Sequence, residues 1–186
     1  MSSNVYRQKG IDLKRIDLIN FQGSSTDIRK LVLEFSIFED IFSNSVKAEF
    51  VMEDTVGLIE RFPIVGDEFV SVRFSTPTFS EEVNMTFRVY RVSDRKQVKE
   101  RSHRYTIHCV SPHLQASLQQ IVEKSYKGMA ISEIVKTIHS EYFGAVGIEK
   151  PIDIEPTLGS VAIIGPRINP YEFLNLLASE AQSERY

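Results

Sequence analysis

The sequence predicts an α+β protein: an N-terminal antiparallel β-barrel or sandwich of six strands, followed by a smaller helical α/β subdomain. The first 110 residues carry short apolar–polar runs of period two, the pattern of half-buried strands, without the strand–helix alternation of a parallel sheet. From residue 111 onward, apolar residues recur at the three- and four-residue spacing of helices. We therefore predict two domains, 1–110 and 111–186.

Length and composition describe a core-forming protein and argue against several classes of function. The 186 residues are 42% hydrophobic and 25% charged, with a net charge of −3, which disfavours a uniformly basic nucleic-acid-binding protein. The single cysteine, Cys109, excludes an internal disulfide and a multi-cysteine metal site. No apolar run approaches the roughly 20 residues of a membrane span, so no membrane insertion is expected. Residues 1–10 are polar, which predicts no secretory signal.

The six predicted strands differ in how regular their alternation is. They lie at residues 11–21, 31–38, 46–53, 68–74, 83–92 and 104–110. In the first run the alternation changes phase between Leu13 and Ile16, which indicates a β-bulge. The fourth run follows the turn signal Gly66-Asp67. Each of the last three runs has its own apolar face. These faces are Val70, Val72 and Phe74; Met85, Phe87 and Val89; and Tyr105, Ile107 and Cys109.

The second and third strands are predicted to form a hairpin. Residues 39–45 between them contain Asn44 flanked by serines, a composition typical of a turn. The two strands are therefore expected to be antiparallel neighbours. Their predicted core face consists of Leu31, Leu33, Phe35, Ile37, Val46, Ala48, Phe50 and Met52.

Three helices and one strand are predicted after residue 110. Ser111-Pro112 is a helix start, and Leu114, Leu118, Ile121 and Val122 follow at helical spacing. A second helix covers residues 130–143, with Gly144 at its end and a stripe of Ile131, Ile134, Val135, Ile138 and Tyr142. A proline-bearing connection over residues 150–156 leads to a short strand at 161–164.

The last helix begins at Asn169-Pro170, where Glu172 completes a capping-box-like start. Its buried side is predicted to carry Phe173, Leu177 and Ala181. An amphipathic helix at the end of the chain needs a surface to pack on. We therefore expect the native protein to continue beyond Tyr186, which would leave domain 111–186 incomplete.

Residues with catalytic chemistry are present, but not at useful spacings. His103 and His108 are five apart near one strand and face opposite sides, and no histidine pair has the i, i+4 spacing of a helical metal site. His108 and Cys109 are adjacent in a strand, so His108 is not placed to activate the thiol, and Cys109 is predicted to be buried. The sequence predicts no catalytic residue, metal ligand or cofactor.

Two apolar segments are candidates for contact with a neighbouring subunit. In the loop at 39–45, Ile41 and Phe42 either fold back onto their own core or, together with Asn44, insert into a neighbour. Residues 54–63 present the same choice, because their apolar side chains either close the end of the barrel or form part of an interface. Those side chains are Val56, Leu58, Ile59 and Phe62.

A basic segment between residues 88 and 104 is the one notable charge cluster. Its seven basic and two acidic side chains give a net charge of +5. The cations are Arg88, Arg91, Arg95, Lys96, Lys99, Arg101 and Arg104. Binding to nucleic acid is one interpretation, but the tip has no aromatic residue on which bases would stack. A solvated β-ribbon, or an electrostatic contact with an acidic partner, is favoured.

The chain resembles the baseplate hub proteins of contractile-tailed phages and related contractile injection systems in three stretches. These are the strand pair around EDIFSNS (31–53), DTVGLIERFPIVGDEFVSVRF (54–74) and NPYEFLNLLASEAQS (169–183). The resemblance implies two tail-tube-like barrels per subunit, with a mixed α/β insertion after the first. This chain would supply the first barrel and much of the insertion. The second barrel has no counterpart here.

The resemblance implies a structural function rather than an enzymatic one. Three subunits would form a ring of six barrels that adapts the tail tube protein to the spike protein. The ring would sit among other baseplate subunits in the virion, after assembly in the host cytoplasm. The barrels would line a channel through which DNA passes, and the 16 basic and 16 acidic residues of domain 1–110 suit such a wall.

Other interpretations remain open. A chain with only one barrel would instead resemble a tube subunit or a tube-initiating baseplate protein. A soluble binding module would use the basic segment 88–104 for nucleic acid or an acidic partner. A tail-associated peptidoglycan hydrolase would need an acid, base or metal set that the sequence does not supply.

Overall fold

The computed structural model describes residues 7–8, 10–62, 64–76, 79–147 and 151–183; of residues 7, 8, 79 and 80 it describes only the backbone. The chain divides into two compact units, Met1–Ser111 and Pro112–Tyr186. Most of the polar N-terminal segment, and Lys150 at the start of the predicted proline-bearing connection, lie outside the described residues.

The first unit is a curled antiparallel sheet with one short helix. Its strands are β1 (Arg7–Gln8), β2 (Ile11–Ile19), β3 (Ser25–Asp27), β4 (Val32–Phe38), β5 (Lys47–Asp54), β6 (Phe69–Thr76), β7 (Phe79–Lys99) and β8 (Ser102–Val110). Seven of them follow the order β1-β2-β6-β7-β8-β5-β4, and β3 pairs with β2. All six predicted strands are present. The two additional strands, β1 and β3, are too short to show a period-two pattern.

One strand, β7, connects the two halves of this sheet. Its first half pairs with β6, from Phe79 to Arg88, and its second half pairs with β8, from Arg88 to Lys99. Register shifts interrupt the second half, and Asp94 within one of them has a left-handed φ of 54°. Such irregularities increase strand twist, which allows β7 to pair with strands in both halves of the sheet. The sequence predicts only residues 83–92, because beyond Val92 the ribbon is exposed and no apolar alternation marks it.

The alternating apolar residues of both halves meet in one core. Its buried members are Ile16, Leu18, Ile28, Ala48, Phe50, Met52, Leu58, Val70, Val72, Phe87, Val89, Tyr105, Ile107 and Cys109. Between β3 and β4 the chain crosses from one half to the other. The N–H of Ile28 donates to the carbonyl of Ile16 at 2.9 Å, and the N–H of Glu53 donates to the carbonyl of Leu31 at 2.8 Å.

Two β-bulges decide which residues reach that core. The register of β2 against β6 shifts between Leu13 and Arg15, which confirms the bulge predicted from the phase change. A second shift in β4, between Val32 and Glu34, was not predicted. The extra residue there is Leu33, which is 48% exposed. The prediction that Leu33 faces the core is therefore wrong, because a one-residue insertion reverses the face of that side chain.

The second unit combines a two-stranded sheet with three helices. Its elements are α2 (Pro112–Leu118), β9 (Ser125–Met129), α3 (Ile131–Ile138), β10 (Val161–Ile164) and α4 (Pro170–Glu180). The α1 helix, Leu58–Arg61, belongs to the first unit. The strands β9 and β10 are antiparallel, and β9 was not predicted. The buried core of this unit contains Val122, Tyr126, Ile131, Ile134, Ile138, Phe173 and Leu177.

The first of these helices differs most from its prediction. The α2 helix ends at Leu118, and both Leu118 and Ile121 are exposed. Its buried residues are Pro112, His113 and Ser117. The hydroxyl of Ser111 has no hydrogen-bond partner, so that side chain is not a cap. Two turns of helix are too short for apolar spacing to define a face.

The second helix has the predicted apolar stripe but a different end. Ile131, Ile134 and Ile138 are buried, as predicted. The α3 helix continues into a π-helical turn, His139–Phe143, and a 3₁₀ turn, Gly144–Val146. Gly144 is helical with φ −59°, and the chain leaves the helix at Gly147, where φ is +73°. Glycine favours that left-handed conformation because it has no Cβ.

The last helix confirms the predicted start. The Asn169 side chain accepts a hydrogen bond of 3.0 Å from the N–H of Glu172, and Pro170 occupies the first turn. Phe173 and Leu177 are buried, as predicted. Ala181 is exposed and follows the end of the helix, so its predicted place on the buried side is wrong.

Candidate assembly surface and basic ribbon

The loop between β4 and β5, residues 39–45, is called the knob loop here because it exposes two bulky apolar side chains. Ile41 is 92% exposed and Phe42 is 90% exposed. Neither packs on the core of its own unit. Asn44, the third residue predicted at this contact, is half-buried. A large apolar pair held in water in this way is typical of a contact surface.

Local hydrogen bonds hold the knob loop in shape. The carboxylate of Asp40 accepts a bond of 2.9 Å from the N–H of Phe42, and its carbonyl accepts one of 3.0 Å from the N–H of Ser43. The hydroxyl of Ser43 donates to the carbonyl of Ser45 at 3.0 Å. Aspartate and serine form turns of this kind because their short side chains reach nearby backbone groups. The loop therefore presents Phe42 on an ordered turn.

The other apolar segment lies mainly inside the first unit. Leu58 is buried in its core, and Ile59 and Phe62 are half-buried against it, while Val56 is exposed. The buried carboxylate of Asp54 accepts bonds from the N–H groups of Val56 and Ile59, at 3.1 and 3.3 Å. This arrangement fits the interpretation in which the segment closes the end of the sheet. Pro63, at its end, lies outside the described residues.

A row of hydrogen-bonded polar side chains, called the polar chain, crosses three strands at His108. Its Nδ1 lies 3.0 Å from Oε1 of Glu49 on β5, and its Nε2 lies 2.8 Å from Oγ of Ser93 and 3.3 Å from Arg91 on β7. Its partners were not predicted, because Glu49 is 59 residues away in sequence. Only the strand register brings them together.

The order of these hydrogen-bonded side chains, Ser93, His108 and Glu49, resembles the serine–histidine–carboxylate arrangement of hydrolases. The hydroxyl of Ser93, however, donates to the carboxylate of the adjacent Asp94 at 2.7 Å. A nucleophilic serine must pass that proton to histidine instead. In this arrangement Asp94 competes with His108 for the Ser93 proton, and the hydrogen-bonded side chains link β5, β8 and β7.

Cys109, next to His108, points into the core. It is fully buried, and that burial raises the pKa of its thiol well above the ordinary range. A raised pKa keeps the sulfur protonated and therefore unreactive. The prediction of a buried structural cysteine is confirmed.

The basic ribbon is formed by the second half of β7 with β8. Besides Arg91, two of its seven cations are engaged within the unit. Arg88 forms an ion pair with Asp67, and Arg104 Nη2 lies 2.9 Å from Glu53 Oε2. These pairs lie along the sheet, so the base of the ribbon has little excess charge.

The remaining cations lie at the ribbon tip, residues 94–101. They are Arg95, Lys96, Lys99 and Arg101. All four are exposed, and within the described part of the chain none of them forms an ion pair. With Asp94 and Glu100, the tip carries a net charge of +2. The available positive charge of the ribbon is therefore concentrated at its end.

The described residues contain no group of three or more histidine, cysteine, aspartate or glutamate side chains positioned to hold a metal ion. None of the described helices has the length and apolar character needed to cross a membrane. A groove of about 370 Å³ in the second unit is lined by Ile131, Val135 and Ala178, with Asp153 and Glu155 beside them.

The chain matches no protein-family model and no curated protein sequence. Solved structures do share its fold. A tail protein from Neisseria meningitidis MC58 has a TM-score of 0.58 at 15% identity, over 91% of this chain and 45% of its own. The 43 kDa tail protein of prophage MuSo2 from Shewanella oneidensis has a TM-score of 0.57 at 15% identity, over 89% of this chain and 48% of its own.

A third structure extends this similarity. A chain of the Francisella PdpA–VgrG complex has a TM-score of 0.54 at 11% identity, over 96% of this chain and 26% of its own. The present chain thus spans less than half the length of each of these three proteins. Together the three comparisons show that it has the fold of a portion of these larger proteins.

Proposed function

We propose that this chain is a structural component of a phage tail, and more specifically the first barrel and part of the insertion of a baseplate hub subunit. One observation carries the proposal: about nine-tenths of the chain shares its fold with two tail proteins, one of them from a prophage. Each of those proteins is about twice as long as the matched portion. A second barrel would lie in the part of the protein that this chain does not include.

The proposed assembly is a trimeric ring in the baseplate of a contractile tail, formed in the host cytoplasm and retained in the virion. One side of the ring would bind the tail tube and the other the spike, next to other baseplate subunits. Similarity to a chain of the PdpA–VgrG complex supports a place within a multi-protein particle. The exposed Ile41 and Phe42 supply apolar surface for a contact between subunits.

The first unit also suits the wall of a channel that DNA passes through. Its domain is electrically neutral, and several strand arginines are matched by a nearby carboxylate. The pairs are Arg15–Asp17, Arg73–Glu82, Arg88–Asp67 and Arg104–Glu53. Paired cations bind phosphate weakly, because each contact with DNA must first displace the carboxylate. In this role the protein shapes a passage and catalyses no reaction.

Electron microscopy with partners tests the proposal. The full-length protein would be mixed with tail tube and spike proteins from the same source, and particles imaged after gel filtration. We expect rings about one central channel, bound to the tube on one face and to the spike on the other. Particles that remain monomeric in the presence of both partners would contradict a hub function.

The ribbon tip favours one alternative, a soluble module that binds nucleic acid or an acidic partner. Four exposed cations, which form no ion pair with any described residue, supply the charge for it. DNA retention measured at low and moderate salt tests this function. Binding that weakens steeply with salt would support it, and no retention at low salt would eliminate it.

A further inference from the structure

The knob loop and the ribbon tip lie at opposite ends of the same half-sheet. At one end Lys47, which follows the knob loop, pairs with Val110 of β8. At the other end Ser102 begins β8 next to the tip and pairs with Lys99. The eight residue steps between Ser102 and Val110 span about 27 Å of extended strand. The two features therefore cannot touch each other within one copy of the sheet.

The two ends are complementary in charge. The knob loop carries Glu39 and Asp40 beside Ile41 and Phe42, giving it a net charge of −2. Glu39 is exposed and forms no ion pair within the described residues. The ribbon tip has a net charge of +2.

Both ends also carry apolar surface. Val98 is exposed among the cations of the tip, and Phe38 is exposed at the base of the knob loop, next to Ile41 and Phe42. Each end thus combines an apolar centre with charged neighbours, and the charges are of opposite sign. An apolar centre with a charged rim is the usual composition of a protein interface.

We propose that the ribbon tip of one copy binds the knob loop of the next copy. This inference rests on the proposed function, because it names the contact through which that assembly would hold its subunits together. The contact is heterologous: each copy offers its tip to one neighbour and its knob loop to another. Contacts of this kind close into a ring when the rotation between copies allows it.

The same charges disfavour the symmetric alternatives. Two tips in contact would bring eight exposed cations together, and two knob loops would bring four carboxylates together. Juxtaposed like charges oppose association. Nucleic acid is a less suitable occupant of the tip, because residues 94–101 contain no aromatic side chain for base stacking.

Charge reversal and its compensation test the contact. One variant carries Lys96→Glu and Lys99→Glu in the tip, a second carries Glu39→Lys in the knob loop, and a third combines all three changes. Asp40 is left intact because its carboxylate holds the turn. Self-association of the full-length protein would be measured by sedimentation velocity at low and moderate salt.

We expect each of the first two variants to weaken self-association by about tenfold. The combined variant should associate more tightly than the tip variant, because Glu39→Lys removes the repulsion between the acidic tip of that variant and the acidic knob loop. Lys127→Glu reverses an exposed charge of the second unit and is the matched control, expected to associate like the parent. Circular dichroism would establish that all variants are folded.

The results separate this contact from the proposed function. If both reversal variants associate as tightly as the parent protein, the proposed ring is retained and the proposed contact is overturned. A combined variant that associates no better than the tip variant also overturns it. If the parent forms rings only with the tail tube and spike proteins, the same variants are compared in that mixture. A parent that stays monomeric even there overturns both proposals.

Discussion

Nδ1 of His108 lies 3.0 Å from Oε1 of Glu49, and this contact joins β8 to β5 at a buried position of the sheet. The other ring nitrogen meets Ser93 of β7 at 2.8 Å. One side chain thus links three strands, of which β5 is distant in sequence from the other two. We expect this link to contribute to the stability of the first unit.

Replacing that histidine tests its contribution. His108→Ala removes a buried imidazole together with its hydrogen bonds to Glu49 and Ser93, so the free energy of unfolding should fall by about 1–3 kcal/mol. Urea denaturation measures the change. His103→Ala, on the same strand but only half-buried, is the control and should change stability by no more than about 0.5 kcal/mol. Equal effects of the two substitutions would show that the polar chain is not stabilising.

Phe42→Ser should separate assembly from folding. Because Phe42 is 90% exposed, the substitution should change the free energy of unfolding by less than about 0.5 kcal/mol. The same change should reduce ring formation with the tail tube and spike proteins, as counted by electron microscopy. Phe50→Ala, at a buried position of β5, is the contrasting variant and should cost about 3–5 kcal/mol. Unaltered ring formation by Phe42→Ser would remove the knob loop from the interface.

Leu58→Ala distinguishes the two interpretations of the segment that carries α1. A side chain buried in the unit's own core should cost about 2–5 kcal/mol of stability when it is truncated. Val56→Ala, at an exposed position two residues earlier, should cost much less. Thermal and urea denaturation of the isolated protein measure both. A stable Leu58→Ala variant that fails only in assembly would instead place Leu58 at an interface.

The thiol of Cys109 should resist alkylation while the protein is folded. Burial raises its pKa, so even at mildly alkaline pH the sulfur remains a protonated thiol out of contact with reagent. Iodoacetamide modification, followed by mass spectrometry, should be negligible in buffer and rapid in concentrated urea. Rapid modification of the folded protein would contradict the burial of this side chain.

Alkaline pH should destabilise the second unit through Tyr171. Burial raises the pKa of this phenol to about 12, whereas an unfolded tyrosine ionises near pH 10. Between those values the folded state retains a proton that the unfolded state has lost, so stability falls as pH rises. Thermal midpoints measured from about pH 9 to pH 12 would show the decline.

Tyr171→Phe provides the control for that decline. Phenylalanine cannot ionise, so the variant should lose less stability over the same pH range. Phenolate absorbance should also show one fewer late-titrating tyrosine. Parallel pH profiles for parent and variant would exclude Tyr171 as a cause.

Much of the fold follows from local pattern. Strands with one buried face can be predicted from sequence, because alternation places every second side chain in the core, as at Ala48, Phe50 and Met52. The bulge near Leu13 was equally visible, since an inserted residue shifts the phase of the alternation. The Asn169 cap was predictable because its hydrogen bond reaches only three residues along the chain.

Features that depend on solvent exposure were less visible. The sequence does not predict the distal half of β7, because both of its faces are exposed. Its residues therefore show no alternation of apolar and polar side chains. Leu33 was assigned to the wrong face because apolar character alone does not reveal a bulge in β4. The sequence allows two interpretations of Ile41 and Phe42, because bulky apolar side chains suit a core and an interface equally well.

The sequence by itself determined the antiparallel sheet, the change to helices after residue 110, the core residues of most strands and the candidate assembly residues. The tertiary structure decided which residues meet across strands: Glu49 with His108, and Arg104 with Glu53. It also placed the knob loop and the ribbon tip at opposite ends of one half-sheet. The physical reason is that alternation and capping act within a few residues, whereas strand register depends on the packing of the whole unit.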